Sequence, residues 1–365
     1  MGALSVLAIP AWAESKYNLQ PPNSPIAAQI YDLHTLVMII CTIIFVGVFG
    51  MMFYSVVKHR KSAGHQAAHF HENTTVEIIW TIVPLLILVG MAYPAAKTVL
   101  AMKDTTEPDL TIKATGYQWK WGYEYLNGEG AGIKFMSVLA TPRDQIEGRA
   151  PKGVHYLQEV DNPVVVPAGK KVRILTTAND VIHSWTVPAF AVKQDAIPGF
   201  IRDAWFRADQ PGVYRGQCVE LCGKDHGFMP IVVEVKDQAG YTKWVAEQKQ
   251  KLAAAAADSG KTFTLDELKA MGEKVYTTNC VACHQATGKG LPPTFPPLDG
   301  SKVVNGPKAE QINVVLNGRQ GTAMQAFGKQ LSDADIASVI TFTRNSWSNK
   351  TGEAIQPSDI KALRK

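Results

Sequence analysis

The stretch from Gln217 to Pro230, QCVELCGKDHGFMP, determines how the rest of the chain is interpreted. It places four side chains of metal-binding type close together, with spacings of four, four and three residues: Cys218, Cys222, His226 and Met229. Thiolate, imidazole and thioether groups in one short loop predict a metal site. The chemistry of these ligands then limits which metal is bound.

A second imidazole comes from His183, in the segment DVIHSW. Two cysteines and two histidines alone would permit tetrahedral zinc. Met229 favours copper, because a thioether is a soft ligand that zinc sites seldom use. A blue site with one copper ion needs a single thiolate, so the second cysteine favours two copper ions bridged by two thiolates.

A second motif, Cys280-Val281-Ala282-Cys283-His284, has the C-x-x-C-H form by which a c-type haem is attached. The thiols would bond the macrocycle while His284 reaches the iron. A thioredoxin-like pair would need a βαβ setting, and zinc would need further Cys or His residues, which the sequence after His284 lacks. Met324 is the only methionine after the motif and is the candidate second axial ligand. An open sixth position is the alternative.

Two long apolar runs, Ile30 to Val57 and Ile78 to Leu100, predict a transmembrane hairpin. Each exceeds the roughly 20 residues that cross the hydrocarbon core. The segment between them begins Lys58-His59-Arg60-Lys61, and short basic loops stay cytoplasmic. The chain after Leu100 is therefore expected on the outer face.

A shorter apolar run, Ala3 to Ala13, precedes the hairpin and ends in a small-x-small pattern. That pattern is typical of a signal-peptidase site, although the basic n-region is missing. We interpret residues 1–29 as a signal-like leader and N-terminal segment, with cleavage after Ala13 left open. A disordered apolar leader is the alternative.

The exported part changes character twice along the chain. Short β-branched stretches separated by Pro and Gly turns predict a β-sandwich. After Tyr241 a polar, alanine-rich run without an apolar face indicates a helical or flexible linker. A capping box at Thr264 and Glu267 then opens a helical region. The expected divisions are 1–29, a hairpin over 30–100, a sandwich over 101–240, a linker over 241–262 and a helical domain over 263–365.

These features together resemble subunit II of the haem–copper cytochrome c oxidases, in the form that carries a fused c-type cytochrome. The resemblance covers nearly the whole chain. Besides the hairpin and the two cysteine motifs, it rests on three further segments: GYQWKWGYEY at 116–125, DVIHSW at 180–185 and DAIPG at 195–199. It implies a multidomain membrane protein with an all-β cupredoxin-like sandwich and an all-α class I cytochrome c-like domain.

The resemblance also implies roles for individual residues. The ligands of the binuclear CuA centre would be His183, Cys218, Cys222, His226, Met229 and the backbone carbonyl of Glu220. The Glu220 carboxylate would bind magnesium shared with subunit I, although in another sequence it would be a solvated loop acid. Trp119 would receive electrons, where the alternative is an ordinary sandwich aromatic. Glu77 would mark a proton-channel entrance, where the alternative is an interfacial charge.

The implied function is electron transfer into a terminal respiratory oxidase. Electrons from an external donor such as a cytochrome c would pass through haem c and CuA to subunit I, for oxygen reduction coupled to proton pumping. Subunit III is a further expected partner, and the implied location is the bacterial plasma membrane with both metal domains periplasmic. A net charge of +5 is small for 365 residues and does not indicate nucleic-acid binding. A nitric oxide reductase-type complex is the alternative, and a quinol oxidase is disfavoured because all the copper ligands are present.

Overall fold

Two long helices open the computed structural model, which describes residues 19–66, 69, 71–258 and 261–364. Helix α1 spans Pro25–Lys58 and helix α2 spans Thr74–Lys103. Both are long and apolar enough to cross a membrane. The apolar run Ala3 to Ala13, after which cleavage is left open, lies outside the described residues.

Side-chain caps set where the two helices begin. The Ser24 hydroxyl accepts a hydrogen bond from the Ala27 amide, and the Asn73 side chain accepts one from the Val76 amide. Such caps satisfy amide groups that have no partner within the first turn. A short 3₁₀ turn, Lys61–Ala63, lies in the basic connection between the helices.

A ten-stranded sandwich follows, confirming the predicted β-fold. Its strands are β1 (Leu110–Tyr117), β2 (Lys120–Tyr125), β3 (Lys134–Ser137), β4 (Val164–Pro167), β5 (Lys171–Ala178), β6 (His183–Val187), β7 (Val192–Ala196), β8 (Arg202–Arg207), β9 (Gly212–Cys218) and β10 (Pro230–Lys236). One sheet has the order β3-β2-β1-β5-β8 and the other β4-β10-β9-β6-β7. Along β5 the residues alternate between buried and half-buried, as expected for a strand with one face on the core. A short helix α3, Arg143–Ile146, lies in the connection between β3 and β4.

The ends of the two long helices distant from the basic connection lie against the sandwich. The Asn23 amide donates to the Ala189 carbonyl at 2.8 Å, just before α1 begins. At the far end of α2, the Trp205 indole donates to the Ala101 carbonyl at 3.0 Å. The sandwich and the basic connection therefore occupy opposite ends of the hairpin, as the charge pattern predicts.

The segment after the sandwich corrects one expectation. Helix α4 spans Gln238–Asp258, and its first turns pack on the sandwich core through Tyr241 and Val245, with Trp244 beside them. The Trp244 ring lies 5.4 Å from the Tyr125 ring. The run thus has an apolar face, contrary to the prediction, because residues spaced three and four apart share one side of a helix.

The C-terminal part is helical, as predicted. It contains α5 (Leu265–Asn279), α6 (Val281–His284), α7 (Lys302–Asn305), α8 (Lys308–Asn317), α9 (Asp333–Arg344) and α10 (Pro357–Leu363). The predicted capping box of Thr264 and Glu267 is present, and Ser332 with Asp335 forms another at α9. Helices α5 and α9 cross closely at Gly272, where an added Cβ would lie 2.0 Å from the Ser338 carbonyl oxygen.

Candidate metal centre and haem cavity

Neighbouring strands place the predicted copper ligands at one end of the central strands of the second sheet. His183 begins β6 and Cys218 ends β9, and these strands pair so that Trp185 faces Cys218. The loop between β9 and β10 supplies the remaining ligands. Met229 is the last residue of that loop, directly before β10 begins.

The sulfur, nitrogen and oxygen atoms of these residues converge. The Cys218 and Cys222 sulfurs lie 3.9 Å apart, and the Cys222 sulfur lies 3.4 Å from His226 Nδ1 and 3.6 Å from the Met229 sulfur. The Glu220 carbonyl oxygen lies 3.3 Å from the Cys218 sulfur. His183, Cys218 and Cys222 offer ligand atoms that all lie within 4.8 Å of one another. The structure therefore brings together all six predicted ligand positions.

The His183 ring is oriented by a residue that sequence reasoning missed. Its Nε2 lies 2.9 Å from the Asp180 carboxylate, while its buried Nδ1 has no hydrogen-bond partner among the described residues. A buried polar atom without a partner is costly, so this nitrogen is suited to bind a metal. Two sulfurs of thiol type, a thioether and this imidazole form a donor set that fits copper.

The two thiols of the centre differ in acidity. Hydrogen bonding from the Cys222 thiol lowers the pKa of Cys218 well below its usual value. The same interaction raises the pKa of Cys222, with burial adding to the rise. One thiolate is thus already favoured without a metal, and a bound cation would favour deprotonation of the second.

A cavity of about 380 Å³ in the helical domain holds the second predicted site. Its lining includes all four residues predicted to hold the haem: Cys280, Cys283, His284 and Met324. His284 Nδ1 lies 3.0 Å from the Pro296 carbonyl oxygen, which fixes the ring and leaves Nε2 free for a metal. Burial lowers the pKa of His284 and so favours the neutral, ligating form. These residues fit a c-type haem.

Comparison with known proteins identifies the family. The family models for the cytochrome c oxidase subunit II periplasmic and transmembrane domains match residues 110–236 and 11–98, and that for the cbb3-type cytochrome c oxidase subunit III matches residues 267–342. The probable cytochrome c oxidase subunit 2 of Rickettsia bellii is 40% identical over 240 residues, which cover 66% of this chain and 86% of that protein. This chain belongs to the cytochrome c oxidase subunit 2 family. It is therefore a subunit of an oxidoreductase, with a membrane anchor and a periplasmic domain.

Two further proteins are similar to parts of this chain. The subunit 2 of Cereibacter sphaeroides is 38% identical over 243 residues, covering 63% of this chain and 79% of that protein. The solved periplasmic domain of subunit II of cytochrome oxidase from Bradyrhizobium japonicum is 44% identical. It covers 40% of this chain and 98% of its own, with a TM-score of 0.36. Membership of the family implies copper in the sandwich, and the cytochrome match implies haem.

Trp119 contacts the loop between β9 and β10, which carries the candidate copper ligands and is here called the copper loop. Its indole N–H donates to the Cys222 carbonyl at 3.2 Å, and the Gln118 side chain donates to the same oxygen at 2.9 Å. The Lys224 ammonium lies 5.8 Å from the Trp119 ring centroid. Sequence reasoning named Trp119 but missed Gln118, the residue directly before it.

The two acidic residues predicted to be functional lie in different places. Glu77 is exposed in the first turn of α2, where its carboxylate accepts from the Asn73 amide at 3.4 Å. It lies at the end of the helix away from the sandwich and is not close to the copper loop. Glu220 is half-buried, and its backbone carbonyl, not its carboxylate, faces Cys218.

Proposed function

We propose that this chain is the subunit through which electrons enter a terminal respiratory oxidase. Electrons from an external donor such as a cytochrome c would pass by way of haem c and CuA to subunit I, where oxygen is reduced to water and protons are pumped. The observation that carries this proposal is the convergence of six candidate ligand atoms beside Trp119 in a chain that also holds a haem cavity.

The proximity of the candidate side chains in the two sites supports the following ligand assignment. His183, Cys218, Glu220 (by its carbonyl), Cys222, His226 and Met229 would hold two copper ions. Cys280 and Cys283 would bond the haem covalently, with His284 and Met324 as axial ligands. When bound, these groups supply reversible one-electron chemistry.

The protein's own residues prepare both sites for that role. Cys218, Cys222 and Met229 are 4%, 2% and 1% exposed, so water is largely excluded from their sulfur atoms. Asp180 and the Pro296 carbonyl each hold one imidazole by the nitrogen that does not face the site. Rigid ligands and low water access reduce the reorganisation that accompanies a change of charge.

Further roles proposed from the family concern the partners. The Glu220 carboxylate would share a magnesium ion with subunit I, and Glu77 would lie at the mouth of a proton channel in that subunit. Subunit III would complete the assembly in the bacterial plasma membrane, with both metal domains in the periplasm. We retain the divisions 1–29, 30–100, 101–240, 241–262 and 263–365 as proposals, with the start of α4 packed on the sandwich.

The test is oxygen consumption by the complex isolated through a tag on this chain. Cys222→Ser should lower oxygen uptake with reduced cytochrome c by about 100-fold or more, because it removes a thiolate central to the copper loop. The haem absorbance of the variant should stay unchanged. Cys41→Ser, an exposed position in α1, is the matched control. Normal uptake by Cys222→Ser would end the proposal.

A further inference from the structure

The cytochrome domain contacts the sandwich through the turn between β1 and β2, here called the docking turn (Gln118–Lys120). The Gln325 side chain donates to the Gln118 carbonyl at 3.1 Å. The Lys120 ammonium donates to the Asn279 side-chain oxygen at 2.8 Å and lies 5.0 Å from the Phe327 ring centroid. These contacts join elements that are about 160 to 210 residues apart in sequence.

The docking turn lies between the two metal sites. On one side Gln118 lines the haem cavity and accepts from Gln325, the residue after Met324. On the other side Gln118 and Trp119 donate to the Cys222 carbonyl. One residue, Gln118, is thus hydrogen-bonded both to the cytochrome loop and to the copper loop.

Lys120 is the unusual member of the docking turn. Its side chain is buried, with 3% of the residue exposed, and no carboxylate pairs with it among the described residues. A buried ammonium is costly unless its donors are satisfied. Here the Asn279 oxygen and the Phe327 ring provide the compensation, and both belong to the cytochrome domain. Burial also lowers the pKa of Lys120 to about 8.

We propose that Lys120 and Asn279 form a positioning pair that fixes the cytochrome domain on the docking turn, with the mouth of the haem cavity against the copper loop. The pair acts through the distance and orientation between the two sites and touches neither metal. The inference rests on the proposed electron relay. It adds that the cytochrome domain occupies one defined position on the sandwich. A domain held only by its covalent link to the sandwich would sample many positions.

Hydrogen exchange of the full chain, loaded with haem and copper and held in detergent, tests this pair. Asn279→Leu leaves the Lys120 ammonium without its acceptor, so exchange in peptides spanning residues 118–121 and 325–327 should rise about tenfold. Lys120→Met combined with Asn279→Leu replaces both polar partners, and exchange should return to within about threefold of the wild-type value. Lys113→Met, in β1 but paired with Glu124, is the control and should leave both peptides unchanged.

Two results would overturn the positioning pair. One is unchanged exchange in Asn279→Leu. The other is exchange in the double variant that is at least as fast as in Asn279→Leu alone. Should Asn279→Leu fail to bind haem, Gln325→Ala removes the second contact away from the attachment motif and should raise exchange in the 118–121 peptide severalfold. An unchanged peptide there would also count against the proposal.

The same samples separate this inference from the electron relay. Copper and haem contents are measured beside exchange, together with oxygen uptake in the assembled complex. A protected docking turn in a wild-type chain that binds no copper would count against the relay alone. Full metal content and normal uptake with an unprotected turn would count against the positioning pair alone.

Discussion

At the scale of single residues, Gly116 determines where a predicted copper ligand can lie. A Cβ added to Gly116 would approach His183 Cδ2 to 2.6 Å, closer than side chains pack. Gly116→Ala should therefore displace the His183 ring. We expect a loss of about 1–3 kcal/mol in the free energy of unfolding of the sandwich. Copper affinity should fall about 10- to 100-fold.

Chemical denaturation and copper titration of the full chain measure both effects. Gly153→Ala is the control, because the nearest atom to its added Cβ is 3.9 Å away. If Gly116→Ala binds copper as the wild type does, the close packing of His183 is not what positions it.

Met324 carries a second prediction at this scale. Met324→Ala should abolish the weak near-infrared absorption band from sulfur bound to haem iron, because no other methionine follows the attachment motif. Met271→Ala, in α5 before the motif, is the matched control. Retention of the band in Met324→Ala would place the ligand elsewhere.

The ligand residues could be predicted because their spacing carries their chemistry, whereas the residues that hold them could not. Asp180 lies three positions before His183 and contacts the ring only because the turn between β5 and β6 brings it there. The segment DVIHSW contained that signal, since a carboxylate often orients a ligating imidazole. Gln118 gave no comparable signal, because its contacts depend on two distant loops.

At the scale of elements, capping residues predicted where a helix begins. The apolar face of a helix was harder to predict. Thr264 and Glu267 form the expected capping box. The start of α4 was misjudged because its alanine-rich remainder outweighed Tyr241, Trp244 and Val245, whose spacing is that of one helix face. The alanine-rich composition of α4 as a whole therefore did not reveal the short amphipathic segment at its start.

The crossing of α5 and α9 makes a prediction for Gly272. A Cβ at this position would lie 2.0 Å from the Ser338 carbonyl oxygen, and a backbone atom cannot move aside as a side chain can. Gly272→Ala should destabilise the cytochrome domain by about 3 kcal/mol. The transition followed by haem absorbance should then fall by more than about 10 °C. Lys274→Ala, exposed on the same helix, should change little, and equal transitions for both variants would contradict the close crossing.

At the scale of the whole molecule, the arrangement of the hairpin predicts which surfaces face each side of the membrane. Lys61 lies in the basic connection, and Val154 is 94% exposed on the sandwich. In intact cells a membrane-impermeant thiol reagent should label Val154→Cys and not Lys61→Cys, with the unmodified chain as background control. Labelling of both only after lysis, or of Lys61→Cys alone in intact cells, would contradict the topology.

The hairpin, the sandwich and the helical domain could each be predicted from patterns within their own segments. Their mutual placement could not, because contacts such as Gln118 with Gln325 follow no periodicity and involve single side chains. The docking of the cytochrome domain is therefore information that only the three-dimensional structure supplies.

The most direct test of the proposed electron relay is the metal content of the purified full chain. Two thiolates flanked by two imidazoles and a thioether predict two copper ions per chain, and the C-x-x-C-H cavity predicts one covalent haem that resists acid extraction. Elemental analysis together with the haem spectrum measures both in one sample. We expect two copper ions and one haem; one zinc ion in place of the copper would contradict the copper assignment.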